Sequence, residues 1–458
     1  MINEKKRILL VCNYFAPENT IAAVRTSKLT KYFIKYGYAV DILTEEKKLE
    51  LKDETLLEGV SNVNVFYAAN SLVFIKLYNL YKKLIKPIKD KKMSNLDNRE
   101  RVNKKTGNIE FYPYETAYPI IGSIEYVIEQ IRQYNLAQSA RKILEDMQEY
   151  DYIITSYGDS FSYHVGKYYK GKHEKVSWIF DIRDAIYRYK FTPDYVKWIP
   201  KHYERYIWRN ANAIVGVSKG ICRRVFKQYR EKVYYISNGY DETFSQSDLG
   251  LTKKTNKMTF LYTGSMYGGL QNLSRFFEAI RFLADKKNIN LSKIEFVYAG
   301  NPSAYNIFFD QAKKYKLESN CVYQGKISRG ESIYLQRQAD ILLMASYDYK
   351  NNNGGGITGK IFEYMDAKKP VIAIVTGDVE NSEVAGIISK TNIGVCYEES
   401  NSKNDFRILT EYIKKQYDHF VNEEKLEYYP NNKEVKRYDY KNIAKRYVKL
   451  LQKLEEGN

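Results

Sequence analysis

The chain has 458 residues, 44% of them hydrophobic and 15% aromatic. That is too long for one hydrophobic core and too rich in rings and aliphatics for a disordered polymer, so two domains of roughly 200 residues each are expected. Seventy-three Lys and Arg against 55 Asp and Glu leave a formal charge of +18, which calls for an anionic partner: nucleic acid, an acidic membrane surface or a phosphorylated substrate.

No apolar run approaches the ~20 residues that cross a bilayer, and the start, MINEKKRILLVCNYF, is too poor in apolar residues for a signal peptide. A cytoplasmic protein is expected. Cys12, Cys222, Cys321 and Cys396 have neither CxxC nor metal-ligand spacing, which favours reduced core thiols over disulfides or zinc. His164, His173, His202 and His419 form no HExxH motif, so no metal site is expected.

In chain order, the apolar run at 7–15 predicts a strand, and 22–37 predicts a helix in which Leu29, Tyr32, Phe33 and Tyr36 share a face and Gly37 ends the helix. Strands follow at 38–44, 62–69, 150–157, 175–184, 212–218 and 232–239, with helical patterns between most of them. After a polar stretch at 237–258 the alternation restarts, with strands at 259–264, 293–300, 321–328, 340–346, 369–375 and 393–399.

Alternating strands and helices predict an α/β protein of two doubly wound, Rossmann-like domains with a ligand cleft between them. The boundaries read 1–245, 246–435 and a C-terminal helix, 436–458, packing back toward the first domain. One insertion, about 70–148, breaks the pattern. It opens with SLVFIKLYNLYKKLIKPI, where Leu72, Ile75, Leu77, Leu80, Leu84 and Ile85 alternate with Lys76, Lys82, Lys83 and Lys86. This suits either a membrane surface or an ordinary covering helix. The charged stretch 89–108 behind it has no regular apolar period.

The most informative stretch is NNNGGGITGKIFEYMDAKKPVIAIV, 351–375. Thr358 reads as an N-cap, placing Gly359 and Lys360 in the first turn, where free N–H groups and the helix dipole attract phosphate. Glu363 lies three residues on, on the Lys360 face, with two carboxylate oxygens suited to ribose hydroxyls. The alternative is a surface Lys360–Glu363 ion pair.

The ordered pieces YFAPENTIAAVRTSKLTKYFIKYGYAVDILT, DIRD, ANAIVGVSKGI, ISNGYD, LYTGSMYGG, FVYAGN, YQGKIS and TGKIFEYMDAKKPVIAI together resemble the retaining family 4 glycosyltransferases of the two-Rossmann-domain type called GT-B. The resemblance implies a metal-independent transferase without cofactor. It would use a nucleotide diphosphate sugar, with a UDP-sugar as the leading donor, and a glycan or polyprenyl-linked acceptor, in bacterial surface-polysaccharide assembly.

By the same resemblance Glu363 would hold the ribose. Lys360 would meet the diphosphate with help from Lys326 or Arg329, and Gly264 and Ser265 of LYTGSMYGG, with Thr358 and Gly359, would line the donor site. In DIRD, Asp184 and Arg183 would serve catalysis or form a loop-fixing network, and Arg25 would meet an acceptor phosphate. Two departures stand out: Gly355 where relatives often have a first glutamate, and no histidine near DIRD. A nucleotide-sugar 2-epimerase of the same fold and a non-catalytic partner subunit remain alternatives. Nucleic acid is disfavoured because the basic residues are dispersed and no recognition motif occurs.

Overall fold

The computed structural model describes residues 5–49, 52–93, 100–102, 109–111, 118–187, 192–241, 255–266, 270–350, 356–423 and 426–456. The chain divides into two compact units, Met1–Ser237 with Ala444–Asn458, and Asn238–Ile443.

The first unit is built on β1 (Arg7–Cys12), β2 (Ala39–Glu45), β3 (Asn64–Ala68), β6 (Tyr152–Tyr157), β7 (Ser177–Ile182), β8 (Ala213–Gly216) and β9 (Val233–Tyr235), separated by a short hairpin of β4 (Glu100–Val102) and β5 (Ile109–Phe111). The seven long-range strands form one sheet in the order β3-β2-β1-β6-β7-β8-β9, every neighbour parallel. Its helices are α1 (Ile21–Lys35), α2 (Leu72–Met93), α3 (Pro119–Glu145), α4 (Ser160–Lys172), α5 (Trp198–Asn210) and α6 (Lys219–Arg224). Continuous apolar strands such as Ile8–Val11 are fully buried, as expected when both faces of a parallel sheet are covered.

The second unit carries β10 (Met258–Thr263), β11 (Ile294–Ala299), β12 (Cys321–Tyr323), β13 (Ile341–Asp348), β14 (Val371–Gly377) and β15 (Gly394–Glu398), in the order β12-β11-β10-β13-β14-β15. Between and after them run α7 (Ser274–Asp285), α8 (Pro302–Lys313), α9 (Arg329–Gln338), α10 (Lys360–Ala367), α11 (Glu383–Thr391), α12 (Ser402–Glu423) and α13 (Asn432–Val435). A last helix, α14 (Tyr440–Glu456), begins in the second unit and ends in the first. In both sheets the chain starts in the middle, winds one way, then returns to wind the other. The order reverses between β1 and β6 and between β10 and β13, the points where doubly wound sheets bind ligands.

Two local features depart from the sequence reading. The insertion is more regular than its composition suggests: α2 runs through Pro87 to Met93, and β4 and β5 pair antiparallel from Glu100↔Phe111 to Val102↔Ile109. Strands of three residues are too short to show an alternating pattern. Helix α1 is buried beyond its predicted apolar face, with Arg25 through Phe33 all buried. Part of the cover is α14, whose Tyr447 meets Phe33 edge-on at 5.7 Å. The helix nevertheless starts on a Thr20 cap, whose hydroxyl accepts from Ala23 N–H, and Gly37 follows at φ +91, a conformation glycine adopts without penalty.

All four cysteines are free, Cys12 being buried in β1. Among the described residues, no helix is long and apolar enough to cross a membrane.

Candidate functional site

The second unit concentrates chemistry at the carboxyl edge of its sheet, where β10 and β13 diverge. After β10 the backbone turns at Gly264 with φ +92. Gly264 N–H donates to Ala299 O at 2.7 Å, and its own carbonyl accepts from the Tyr298 hydroxyl at 2.6 Å. Gly300, at the end of β11, packs so closely on the Gly264 carbonyl that a Cβ there would lie 2.5 Å from it. Gly300 N–H in turn donates to Gly325 O. Glycines follow three adjacent strands for two reasons: at Gly300 a side chain would collide with backbone, while Gly264 and Gly325 take positive φ.

Lys360 opens α10 and reaches across to this turn. Its Nζ donates to Ser265 O at 3.3 Å and lies 5.0 Å from the centroid of the Tyr262 ring. Only 9% of the residue is exposed. Burial pushes the amine down to about 8, against a smaller opposing pull from the Glu363 carboxylate. A charged amine with one weak carbonyl bond and an aromatic face has donors to spare. The absence of a side chain at Gly264 leaves it room, since a Cβ there would stand 3.3 Å from Lys360 Cε.

Glu363 does not pair with Lys360, as the simple surface reading required. Its Oε1 accepts from Arg329 Nη1 at 2.8 Å, and Oε2 lies 3.5 Å from Gln336 Nε2. Arg329 is held at the first position of α9 by a capping box, in which the Ser328 hydroxyl accepts from Glu331 N–H and the Glu331 carboxylate accepts from Ser328 N–H. Gln336 also donates to Thr263 and Ser332, tying β10, α9 and α10 together. The Tyr364 hydroxyl, donating to Leu343 O at 3.0 Å, pins α10 to β13. A carboxylate paired once keeps lone pairs for other donors.

Thr358 requires a correction. The N-cap of α10 is Gly359, with no side-chain cap, and Thr358 stands one residue outside it. Among the described residues its buried Oγ1 has no hydrogen-bond partner. Gly359 therefore leads directly into the first turn, which Gly356 approaches through an N–H donated to Tyr347 O. Lys326 lies exposed in the turn after β12; of the two proposed helpers, Arg329 is the one joined to Glu363. Gly355 lies outside the described residues.

In the first unit Arg25 is corrected more sharply. It is 1% exposed and forms a two-point pair with Asp181, Nε to Oδ2 at 3.0 Å and Nη2 to Oδ1 at 2.8 Å. It also donates to Ser237 O, Ile236 O and the Tyr447 hydroxyl. Ser156 and Tyr447 donate to the same carboxylate. Burial raises the Asp181 carboxyl, but Arg25 and Tyr447 outweigh it and leave the group below its usual range. An arginine committed in this way holds the unit together and does not reach an acceptor.

Arg183 and Asp184 follow β7. Asp184 is exposed. Arg183 sets its guanidinium 5.7 Å from the centroid of the Tyr14 ring, which Lys47 also approaches at 3.6 Å. Gly158, after β6, leaves space for the guanidinium, because any Cβ there would strike Nη2. Among the described residues, Arg183 forms no ion pair with Asp184. Tyr14, Lys47 and Gly158 around it, and Gln336 and Tyr262 in the second unit, are partners the sequence reading did not name. For Arg329 the Ser-x-x-Glu spacing at 328–331 was the available signal, since it fixes where α9 begins.

Residues 246–433 match the model of the family described as Glycosyl transferases group 1. That segment is nearly the whole second unit. No curated protein sequence matches the chain. Among solved structures, sucrose-phosphate synthase from Thermosynechococcus elongatus superposes with a TM-score of 0.59 at 12% identity, covering 99% of this chain and all of that one. An E. coli trehalose-6-phosphate structure bound with UDP-2-fluoro glucose gives 0.60 at 11% identity, covering 97% and 99%. A mutant of S. aureus TarM in complex with fondaparinux, alpha-GlcNAc-glycerol and UDP gives 0.56 at 13% identity, with the same coverage. Likeness at this identity shows the fold, two Rossmann-like units of the kind called GT-B.

Proposed function

We propose that the chain is a glycosyltransferase that moves a sugar from a nucleotide diphosphate sugar to a glycan or lipid-linked acceptor. The observation that carries this reading is Lys360: a desolvated amine at a helix N-terminus, beside a glycine turn, at the reversal point of the sheet in the unit that matches the group 1 family. Such an arrangement stabilises phosphate charge without a metal, through an ammonium group and backbone N–H groups.

In this reading Lys360, Gly359 and the Gly264–Ser265 turn receive the diphosphate, with Thr358 beside them and Lys326 at the outer edge. Glu363, oriented by Arg329, accepts from the ribose. Asp184 positions the acceptor hydroxyl or takes its proton, and Arg183 stands next to it. The finer reading is a retaining, metal-independent enzyme using a UDP-sugar in bacterial surface-polysaccharide assembly, on the cytoplasmic face of the membrane. The UDP and UDP-sugar bound in two structural relatives support the donor class.

Calorimetric titration with UDP, GDP and dTDP tests the donor site directly. Lys360→Ala should weaken nucleoside diphosphate binding by about 2 kcal/mol, the scale of a charge-assisted hydrogen bond, while sparing the nucleoside. Unchanged binding in that variant sinks the assignment. Turnover of a nucleotide sugar without acceptor would favour the epimerase, and no nucleotide binding at all would favour a non-catalytic subunit.

A further inference from the structure

Helices α2 and α3 each carry an exposed apolar row that the first unit leaves uncovered. On α2 the row is Val73, Leu77, Leu80 and Leu84. On α3 it is Ile120, Ile124, Val127, Ile131 and Tyr134. These nine side chains are between 36% and 70% exposed. The spacing of four, three and four residues keeps each row on one face of its helix.

The two helices lie side by side and antiparallel. Ser71 N–H donates to Asn135 Oδ1 at 3.0 Å, and the Tyr78 hydroxyl donates to Glu129 Oε2 at 3.1 Å. Counting about 100° per residue, the α2 row turns well away from Tyr78 and the α3 row nearly opposite Glu129, the pair that marks the seam. The buried residues of α3, Gln133, Leu136, Ala137 and Ala140, turn in nearly the opposite direction from its row. Both rows thus fall on the same side, away from the sheet.

We infer that this two-row face docks on the surface of an anionic lipid bilayer. Charge selects that occupant: Lys76 and Lys83 are exposed beside the α2 row, where they would meet lipid phosphates while the leucines enter the acyl boundary. A second copy of the chain would bring like charges together. With no described helix able to span a membrane, the face lies on the bilayer.

Sedimentation of the full chain with phosphatidylglycerol–phosphatidylcholine vesicles, and with phosphatidylcholine alone, tests the inference. Ile124→Ser with Ile131→Ser, and separately Leu77→Ser with Leu84→Ser, should each lower partitioning at least about tenfold, with unchanged melting because the side chains are exposed. Lys76→Gln with Lys83→Gln should abolish the preference for anionic vesicles. The inference is overturned if the native chain binds neither vesicle at low salt, or if the α3 pair of substitutions leaves binding unchanged. A native dimer that ignores vesicles and that the serine variants turn into monomers would also overturn it, making the face a protein interface. Nucleotide titration of the same variants reports separately on the transferase reading, on which this inference does not depend.

Discussion

Arg329 Nη1 stands 2.8 Å from Glu363 Oε1, joining the first turns of two helices that follow different strands. Both side chains are partly exposed, so the pair contributes about 0.5–1 kcal/mol to stability. Its larger effect is positional, since holding Oε1 orients the whole carboxylate. Arg329→Gln should therefore lower UDP and uridine affinity together, about threefold to tenfold, by releasing the carboxylate. In a double-mutant cycle with Glu363→Gln, the nucleotide losses should fall well short of additive. Full additivity in titrations of the four proteins would separate Arg329 from the ribose contact.

The pH dependence of nucleotide binding should report Lys360. Its folded-state value of about 8 lies below the unfolded 10.5. The unfolded chain thus binds one more proton between pH 8 and pH 10.5, and this group alone makes stability rise with pH across that window and stay flat below it. In the proposed donor site the diphosphate meets the charged amine, and on that reading affinity should fall toward tenfold per pH unit above about pH 8. Titrations in buffers of different ionisation enthalpy should show proton uptake on binding near pH 8. Lys360→Met should remove both effects.

Gly264 and Gly325 form a matched pair for testing the turn. Both have positive φ, +92 and +80, but only at Gly264 would a Cβ approach Lys360, while Gly325 has open space. Alanine at either should destabilise by about 1–2 kcal/mol through backbone strain. Only Gly264→Ala should also weaken diphosphate binding. Equal nucleotide affinities in the two variants, measured after melting curves confirm folding, would detach the turn from the lysine.

Arg25 should behave as a structural residue. Arg25→Met leaves the Asp181 carboxylate buried with its main counter-charge gone, a loss of about 3–5 kcal/mol, read from denaturant unfolding. Because the folded-state value of Asp181 is depressed, the pair's contribution is present above the ordinary carboxylate range and is lost as pH falls through the lower folded value. The native chain should lose this contribution in acid, and the Met variant should show a flatter acid limb.

Asp184→Asn should keep the fold, since Asp184 is exposed, and should cut turnover by about 100-fold with donor affinity unchanged. A melting temperature that drops with the activity would assign Asp184 to loop structure instead.

Periodicity carried most of the fold. Each predicted run from 7–15 to 393–399 contains a strand, because a parallel strand buried on both faces must be continuously apolar and glycine or polar residues must end it. The β4–β5 hairpin escaped because three residues carry too little pattern. In the candidate site, Lys360 and Glu363 stood out from a glycine-rich run entering a short helix. Their partners were not. Whether Glu363 meets Lys360 or Arg329 depends on how α9 and α10 pack, with the partners 34 positions apart, and no local rule reaches that far. Arg25 misled for the same reason: an arginine near a helix start looks available until a tyrosine 422 positions later closes over it.

That last contact also sets an order of events during synthesis. Asp181 and Arg25 leave the ribosome early, but Tyr447, which completes their network, emerges only after all of the second unit has been made. Until then the nascent first unit lacks the cover that α14 gives to α1, and a buried charge pair waits half-enclosed. A chain stopped at residue 443 would contain every strand of both sheets and still expose that pair to water. The part of the molecule translated first is therefore locked only after the second unit has been made.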